Sequence, residues 1–380
     1  MNWLRAGVGL VVLLAIGGAL VSGGSEADSV WHRYLPGSNS LRTVDRYGSE
    51  RAVRLNSLGD LDRIRADPRW LAVARPLGTE APRWARRMYR RSLLVLRALT
   101  DSRTGAVIAG ARDGWAYVWP RDAGTVALAL ASAGYRDQAQ RIARFLLGLD
   151  LGAAARFNVD GTPVGGRAAQ GDAAGWVAVA ARSAGLRHAV ASQPWRDRAD
   201  YQEGDPGDYL ANALASTATI FDARDRPGQK RREATLRALF AAPAGTLTRG
   251  ADDPASGLDS AAGWAVRPFP HPALYPLVRR TLLRLAATSG RFGIVPSQGW
   301  SGGKDPWTAP TAWTAWSLAA LGERREALHL MAEVRRAATP SGMLPERVDA
   351  HTGIPTSTTP LAWSHAFAIL ALRQLWPGPR

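Results

Sequence analysis

Apolar residues recur about every 3.6 positions through most of the chain from residue 58 onward. That spacing predicts helices over 82–99, 120–133, 135–148, 171–185, 208–221, 230–241, 273–289, 310–321, 323–337 and 360–375. Gly134 and Gly322 each separate two neighbouring helices, and Pro120 and Pro360 suit the first turn of theirs. Val-rich alternating segments of the kind that form half-buried strands are scarce.

The links between these helices alternate. Some are tight, at Gly134 and Gly322. Others are long and rich in Gly, Pro and Asp, over 150–170, 192–207, 242–272, 291–309 and 338–359. A simple bundle has short loops at both ends. Short links on one side and long ones on the other instead predict an all-α toroid of helical hairpins, with long loops at one end able to build a pocket. No fixed-period repeat argues for a solenoid. The expected division is a leader over 1–24, an extended arm over 25–57 and the helical domain over 58–380.

The first residues read as a targeting segment. Arg5 precedes an apolar and glycine run from Ala6 to Val21, and Ser22-Gly23-Gly24-Ser25 follows. This predicts either a cleaved secretory signal or an uncleaved anchor, and so an extracytoplasmic protein with possible attachment to a membrane. The run is short for an ordinary membrane span. With no cysteine, disulfides and a lipoprotein thioether are both excluded.

A net charge of +16 raises the question of nucleic acid. Lys230 and Lys304 are the only lysines; the other cations are arginines scattered as pairs such as Arg90-Arg91 and Arg335-Arg336. They form no single stripe and no nucleic-acid motif accompanies them, so no nucleic-acid partner is expected. No zinc motif or EF-hand spacing occurs, no phosphate loop fits, and neither a metal nor another cofactor is expected.

Four segments can carry chemistry. Asp113 to Asp122 (DGWAYVWPRD) sets Tyr117 and Trp119 beside Arg121 and Asp122, where a helix begins. Forked donors and a carboxylate acceptor can orient a sugar; equally, Asp122 can complement the helix dipole while Trp119 packs in the core. Trp195 to Leu210 carries Glu203 next to Tyr201 and a Gly/Pro turn. Burial against aromatics would raise its pKa and suit a proton donor, with Asp200, Asp205 and Asp208 as rivals. Ser341 to Ala366 carries Glu346 before a Thr/Ser-rich loop that can hold a carboxylate ionised as a general base. Trp363 and His365 follow; His365 either meets substrate or is satisfied by backbone. Gln298 to Trp313 offers Trp300 and Trp307 as cleft walls.

The order YVWPRD, QGD (Gln170 to Asp172), DYQE, GGKDPW and LPER…TGIP…PLAWSHA resembles the bacterial glucoamylase-like branch of glycoside hydrolase family 15, over roughly residues 80–375. The resemblance implies an (α/α)6 barrel that cleaves with inversion. It implies Glu203 as general acid and Glu346 as general base. Arg121 and Asp122 would grip the terminal glucose, with Tyr117, Trp119, Trp307, Trp363 and His365 around it. Four positions depart from the family pattern: Gln202 stands where many relatives have Trp, Pro296-Ser297 where they have Arg-Tyr, and Arg347 where they have Gln.

The expected protein is thus a monomeric, inverting, exo-acting hydrolase that releases glucose from the non-reducing end of an α-glucan or α-glucoside. Two alternatives stand beside it: a glycan-binding protein of the same fold without turnover, and a trehalase or lyase.

Overall fold

A computed structural model describes residues 29–34, 40–45, 50–54, 67–110, 114–220 and 225–379. The predicted leader lies outside the described residues. In the stretch read as an extended arm, strands β1 (Ser29–Tyr34), β2 (Ser40–Asp45) and β3 (Glu50–Arg54) pair as an antiparallel meander. Among the described residues no helix is long and apolar enough to cross a membrane.

The remaining helices are α1 (Asp67–Val73), α2 (Arg83–Ala98), α3 (Pro120–Ser132), α4 (Arg136–Leu147), α5 (Ala173–Ser183), α6 (Leu210–Ser216), α7 (Arg226–Phe240), α8 (Tyr275–Ala287), α9 (Thr308–Ala320), α10 (Arg324–Ala337) and α11 (Ala362–Leu375). They sort into two layers by composition. In α5 and α9 the buried residues run consecutively, Ala173 to Ala181 and Thr308 to Leu318. A helix apolar all round must be enclosed by protein. In α2 all the buried positions but Val95 (Ala85, Met88, Tyr89, Ser92, Leu93, Leu96) follow one stripe, and six arginines occupy other positions of the same helix. Such a helix belongs outside.

The inner layer closes on itself. Going round, α3 packs on α5, α5 on α6, α6 on a 3-10 helix (Ser260–Ala265), that element on α9, α9 on α11, and α11 on α3. Small residues set the spacing: a Cβ at Gly124 would lie 2.7 Å from the Trp176 carbonyl oxygen. Outside lie α2, α4, α7, α8 and α10. Between α5 and α6 no outer helix forms, and the chain crosses 184–209 as loop.

Four aromatic rings from four inner elements fill the centre. Trp176 meets Trp264 at 5.1 Å, Trp264 meets Trp313 at 5.5 Å, Trp313 meets Phe367 at 5.2 Å and Phe367 meets Trp176 at 6.1 Å. All four are almost wholly excluded from water. Edge-to-face geometry suits their quadrupoles.

Ten predicted helices match observed ones closely. The inner 3-10 helix falls inside what the spacing reads as the loop 242–272, because one short 3-10 run does not sustain a 3.6 period. The same loop also holds β4 (Ala241–Ala242), β5 (Thr246–Gly250) and β6 (Asp253–Leu258), an antiparallel unit.

The long links 150–170, 242–259, 291–309 and 338–359 run from an outer to an inner element and 192–207 joins the inner helices α5 and α6, so each ends at the N-terminal end of the inner layer. There single bridges stitch loop to loop: Val118 with Phe157, Gly110 with Leu361, Asp259 with Ser297, and Trp307 with Arg347.

Candidate active site

At that end a small pocket is lined by Trp115, Trp119, Arg121, Asp122, Arg167, Tyr201, Gln202, Glu203, Trp307, Glu346 and Trp363. Its free volume is about 70 Å3. Tyr201 and Trp363 form its floor, above the central aromatic ring, at 5.3 and 5.1 Å from Trp313.

Trp119 is the N-cap residue of α3, so Pro120, Arg121 and Asp122 form the first turn at the positive end of the helix. Arg121 is buried. It donates to Gln170 Oε1 at 2.7 Å and to Asp172 Oδ2 at 3.2 Å, and lies 3.5 Å from Asp122. Its guanidinium stacks 4.7 Å from the Trp363 ring. One cation thus faces two buried carboxylates. Burial raises Asp122 to about 7; Arg121 pulls it down, while Asp172 and Glu346 push it up. Asp172 is raised as well, chiefly by burial.

Glu203 ends a tight turn. Its own N–H donates to Asp200 O, and Gln202 N–H donates to Asp200 Oδ1. Two anchors fix this turn. Arg249 from β5 makes a bidentate pair with Asp200 at 3.1 and 3.0 Å. Tyr201 OH donates to Asp259 Oδ1 at 2.7 Å and also approaches Pro296 O at 3.1 Å. Glu203 itself has φ +56°, a left-handed conformation that costs a side-chain-bearing residue about 1 kcal/mol or more. Its carboxylate accepts from Trp119 Nε1 at 2.8 Å and Gln170 Nε2 at 3.3 Å, and pairs with Arg167.

Glu346 arrives on the 338–361 loop. Its backbone N–H donates to Thr358 O and its carbonyl accepts from Thr308 N–H, at the start of α9. The carboxylate accepts from Ser357 Oγ and, at 3.4 Å, from Trp115 Nε1; Arg347 Nε stands 4.0 Å away. Its side chain is only 13% exposed.

Seven of the nine predicted site residues therefore meet in one pocket: Trp119, Arg121, Asp122, Glu203, Trp307, Glu346 and Trp363. Tyr117 stands behind, edge-on to Trp119 at 6.4 Å and covered by Arg156 at 4.6 Å. His365 does not reach the pocket. Its Nε2 accepts from Leu344 N–H at 2.9 Å, which leaves Nδ1 to donate to Ser92 Oγ, also at 2.9 Å. Burial, with Arg91 nearby, holds its pKa down at about 3, so it is a neutral brace two residues from Glu346. Among the rival carboxylates, Asp200 is committed to Arg249 and Asp208 to Arg196. Asp113 lies outside the described residues.

Arg167 was not legible in the sequence: a lone arginine after two glycines carries no pattern. Nor did the sequence show that the departures from the family pattern meet. Ser297 Oγ donates to Gln202 Oε1 at 3.0 Å, and Gln202 Nε2 donates to Asp259 Oδ2 at 3.1 Å. Two exchanged positions, far apart in the chain, have become one hydrogen-bonded pair under the turn that carries Glu203. Among the described residues no group of three or more His, Cys, Asp or Glu side chains converges as a metal cage.

A family model described as glycosyl hydrolases family 15 matches residues 83–149, which hold α2, α3, α4 and the Trp119–Asp122 turn. No curated protein sequence matches the chain. A solved structure described as a wild-type glycosidase superposes with TM-score 0.63 at 19% identity, covering 77% of this chain and 97% of that one. The glucoamylase of Saccharomycopsis fibuligera gives 0.59 at 14% identity, over 80% of this chain and 96% of that one. A bacterial glucoamylase complexed with acarbose gives 0.61 at 16% identity, over 84% of this chain and 60% of that one. The chain has the glucoamylase-like fold of glycoside hydrolase family 15.

Proposed function

We propose that the protein is an inverting, exo-acting glycoside hydrolase that removes glucose from the non-reducing end of an α-glucan or α-glucoside. One observation carries this reading: Glu203 and Glu346, from two separate loops, line a single pocket with Arg121, Asp122 and four tryptophans. A glycosidase that inverts needs one carboxyl group to protonate the leaving oxygen and a second to take a proton from water on the opposite face. Glu203 is the donor and Glu346 the base. Ser357 and Trp115 orient the Glu346 carboxylate by donating to it. Arg121 and Asp122 hold the sugar's hydroxyls at the closed end, which makes attack terminal and the product a single hexose. Glycosidase and glucoamylase structures bound to glucose and to acarbose share the architecture and support this reading.

Arg167 is part of the mechanism. A carboxylate paired with a guanidinium yields its proton readily, the opposite of what a proton donor needs. Arg167 also occupies the pocket beside Glu203. Substrate entry therefore displaces Arg167 from Glu203. Gly165 and Gly166 precede it, and nothing lies within 4 Å of where their side chains would be, so the segment has room to move.

The test is glucose release from maltooligosaccharides, with the anomer of the first product read by NMR. Glu203→Gln and Glu346→Gln each lower the rate by at least about 10²-fold, and wild type releases β-glucose first. Full activity in either variant removes that residue from the mechanism. The plugged pocket also favours a second reading, a glycan-binding protein without turnover. Calorimetric binding of maltooligosaccharides with no glucose formed would establish it.

A further inference from the structure

At the far end of the toroid a second cavity, of about 670 Å3, opens where the inner elements finish, at Ser183 of α5, Thr217 after α6 and Trp316 of α9. Arg182, Arg232 and Arg267 reach it from three separate elements, and no Asp or Glu among the described residues lines it. Arg182 closes α5, where a cation complements the carbonyl end of the helix. Arg232 lies on the outer helix α7 and Arg267 on the loop after the 3-10 helix, so that explanation does not reach them. Guanidinium groups gathered around one space repel each other, and an anion between them removes the repulsion.

His271 supplies an independent observation. It is 3% exposed and lines the same cavity. The Thr217 hydroxyl spends its proton on Leu214 O at 2.6 Å, so His271 Nε2 must donate to Thr217 Oγ1 at 3.1 Å. That leaves Nδ1 as an acceptor, and it is buried with no partner. One Arg232 Nη2 is buried without a partner too, although the other nitrogen lies 3.6 Å from Asp225. The arginines call for an anion, whereas Nδ1 calls for a hydroxyl. Trp316, Phe269 and Tyr275 add an aromatic wall of the kind that covers the C–H face of a sugar.

We propose that this cavity binds a small hydroxylated anion of the sugar-phosphate or sugar-acid class, its charged head on Arg232 and Arg267 and a hydroxyl on His271 Nδ1. The site is separate from the carboxylate pocket, and the proposal does not depend on hydrolysis. The test is calorimetric titration of the full chain with glucose 6-phosphate, gluconate, inorganic phosphate and glucose. One or both hydroxylated anions bind, and each loses more than about tenfold in affinity in Arg232→Gln and in Arg267→Gln, as befits a lost charge-assisted hydrogen bond. Arg267 is exposed, so its variant folds whatever becomes of Arg232→Gln. Binding of inorganic phosphate as tight as that of the hydroxylated anions overturns the His271 contact. No binding of any anion, or binding unchanged in both variants, overturns the site.

Discussion

The guanidinium of Arg167 and the carboxylate of Glu203 form an ion pair inside the pocket that also contains Glu346. Arg167 thereby takes up space beside the proposed proton donor. Replacing it with alanine enlarges the pocket and removes a side chain that substrate must displace. KM for a neutral oligosaccharide should then fall severalfold with kcat little changed. A KM that stays in place would show that Arg167 is clear of the path of the sugar.

Asp122 should make sugar binding pH-dependent. Its pKa of about 7 means that it turns from neutral to charged across ordinary working conditions. A charged acceptor holds a hydroxyl more strongly than a neutral one, by about 1 kcal/mol. Glucose, measured as a competitive inhibitor, should bind severalfold more tightly at pH 8 than at pH 6, and Asp122→Asn should abolish that dependence. Identical inhibition constants in wild type at the two pH values would refute the assignment.

The contact between Gln202 and Ser297 predicts coupling between two positions distant in sequence. Gln202→Ala strips a donor from buried Asp259 and a partner from Ser297, costing about 1–3 kcal/mol. Ser297→Ala costs about 1 kcal/mol. The double variant should lose less than the sum, by at least about 0.5 kcal/mol in urea denaturation. Strict additivity would mean that the pair is fortuitous.

His365 predicts a sign for stability against pH. Its folded pKa of about 3 lies below the ordinary 6.5, so the unfolded chain binds a proton that the native state refuses. This group costs nothing above pH 6.5, and its penalty grows as pH falls toward 3, by about 1.4 kcal/mol per unit. His365→Gln lacks that penalty. The variant is less stable at pH 7, where it loses the brace on Leu344, and the deficit should narrow by pH 5. A constant deficit would sink the assignment of a neutral buried imidazole.

The hydrophobic period carried most of the architecture into view. Helices α3, α5, α9 and α11 are mostly apolar with sharp boundaries, and long links marked the end that holds the pocket. What stayed hidden was whatever depended on side chains meeting across loops. Arg167 lies on Glu203 only because the 148–172 loop folds over the pocket. His365 lies two residues from Trp363 in sequence, yet that step of about 200° around α11 points it into the wall, and no linear pattern distinguishes the two. The inner 3-10 helix was invisible for a related reason: at six residues it is too short to show a period and is defined by what surrounds it.

The left-handed backbone at Glu203 has a consequence for how the chain can change. A glycine there would relax the turn and would yield a firmer scaffold without the carboxylate proposed as proton donor. On the proposed function, drift toward robustness at this position is drift toward inactivity, because the residue that eases the backbone is the one that lacks the carboxylate.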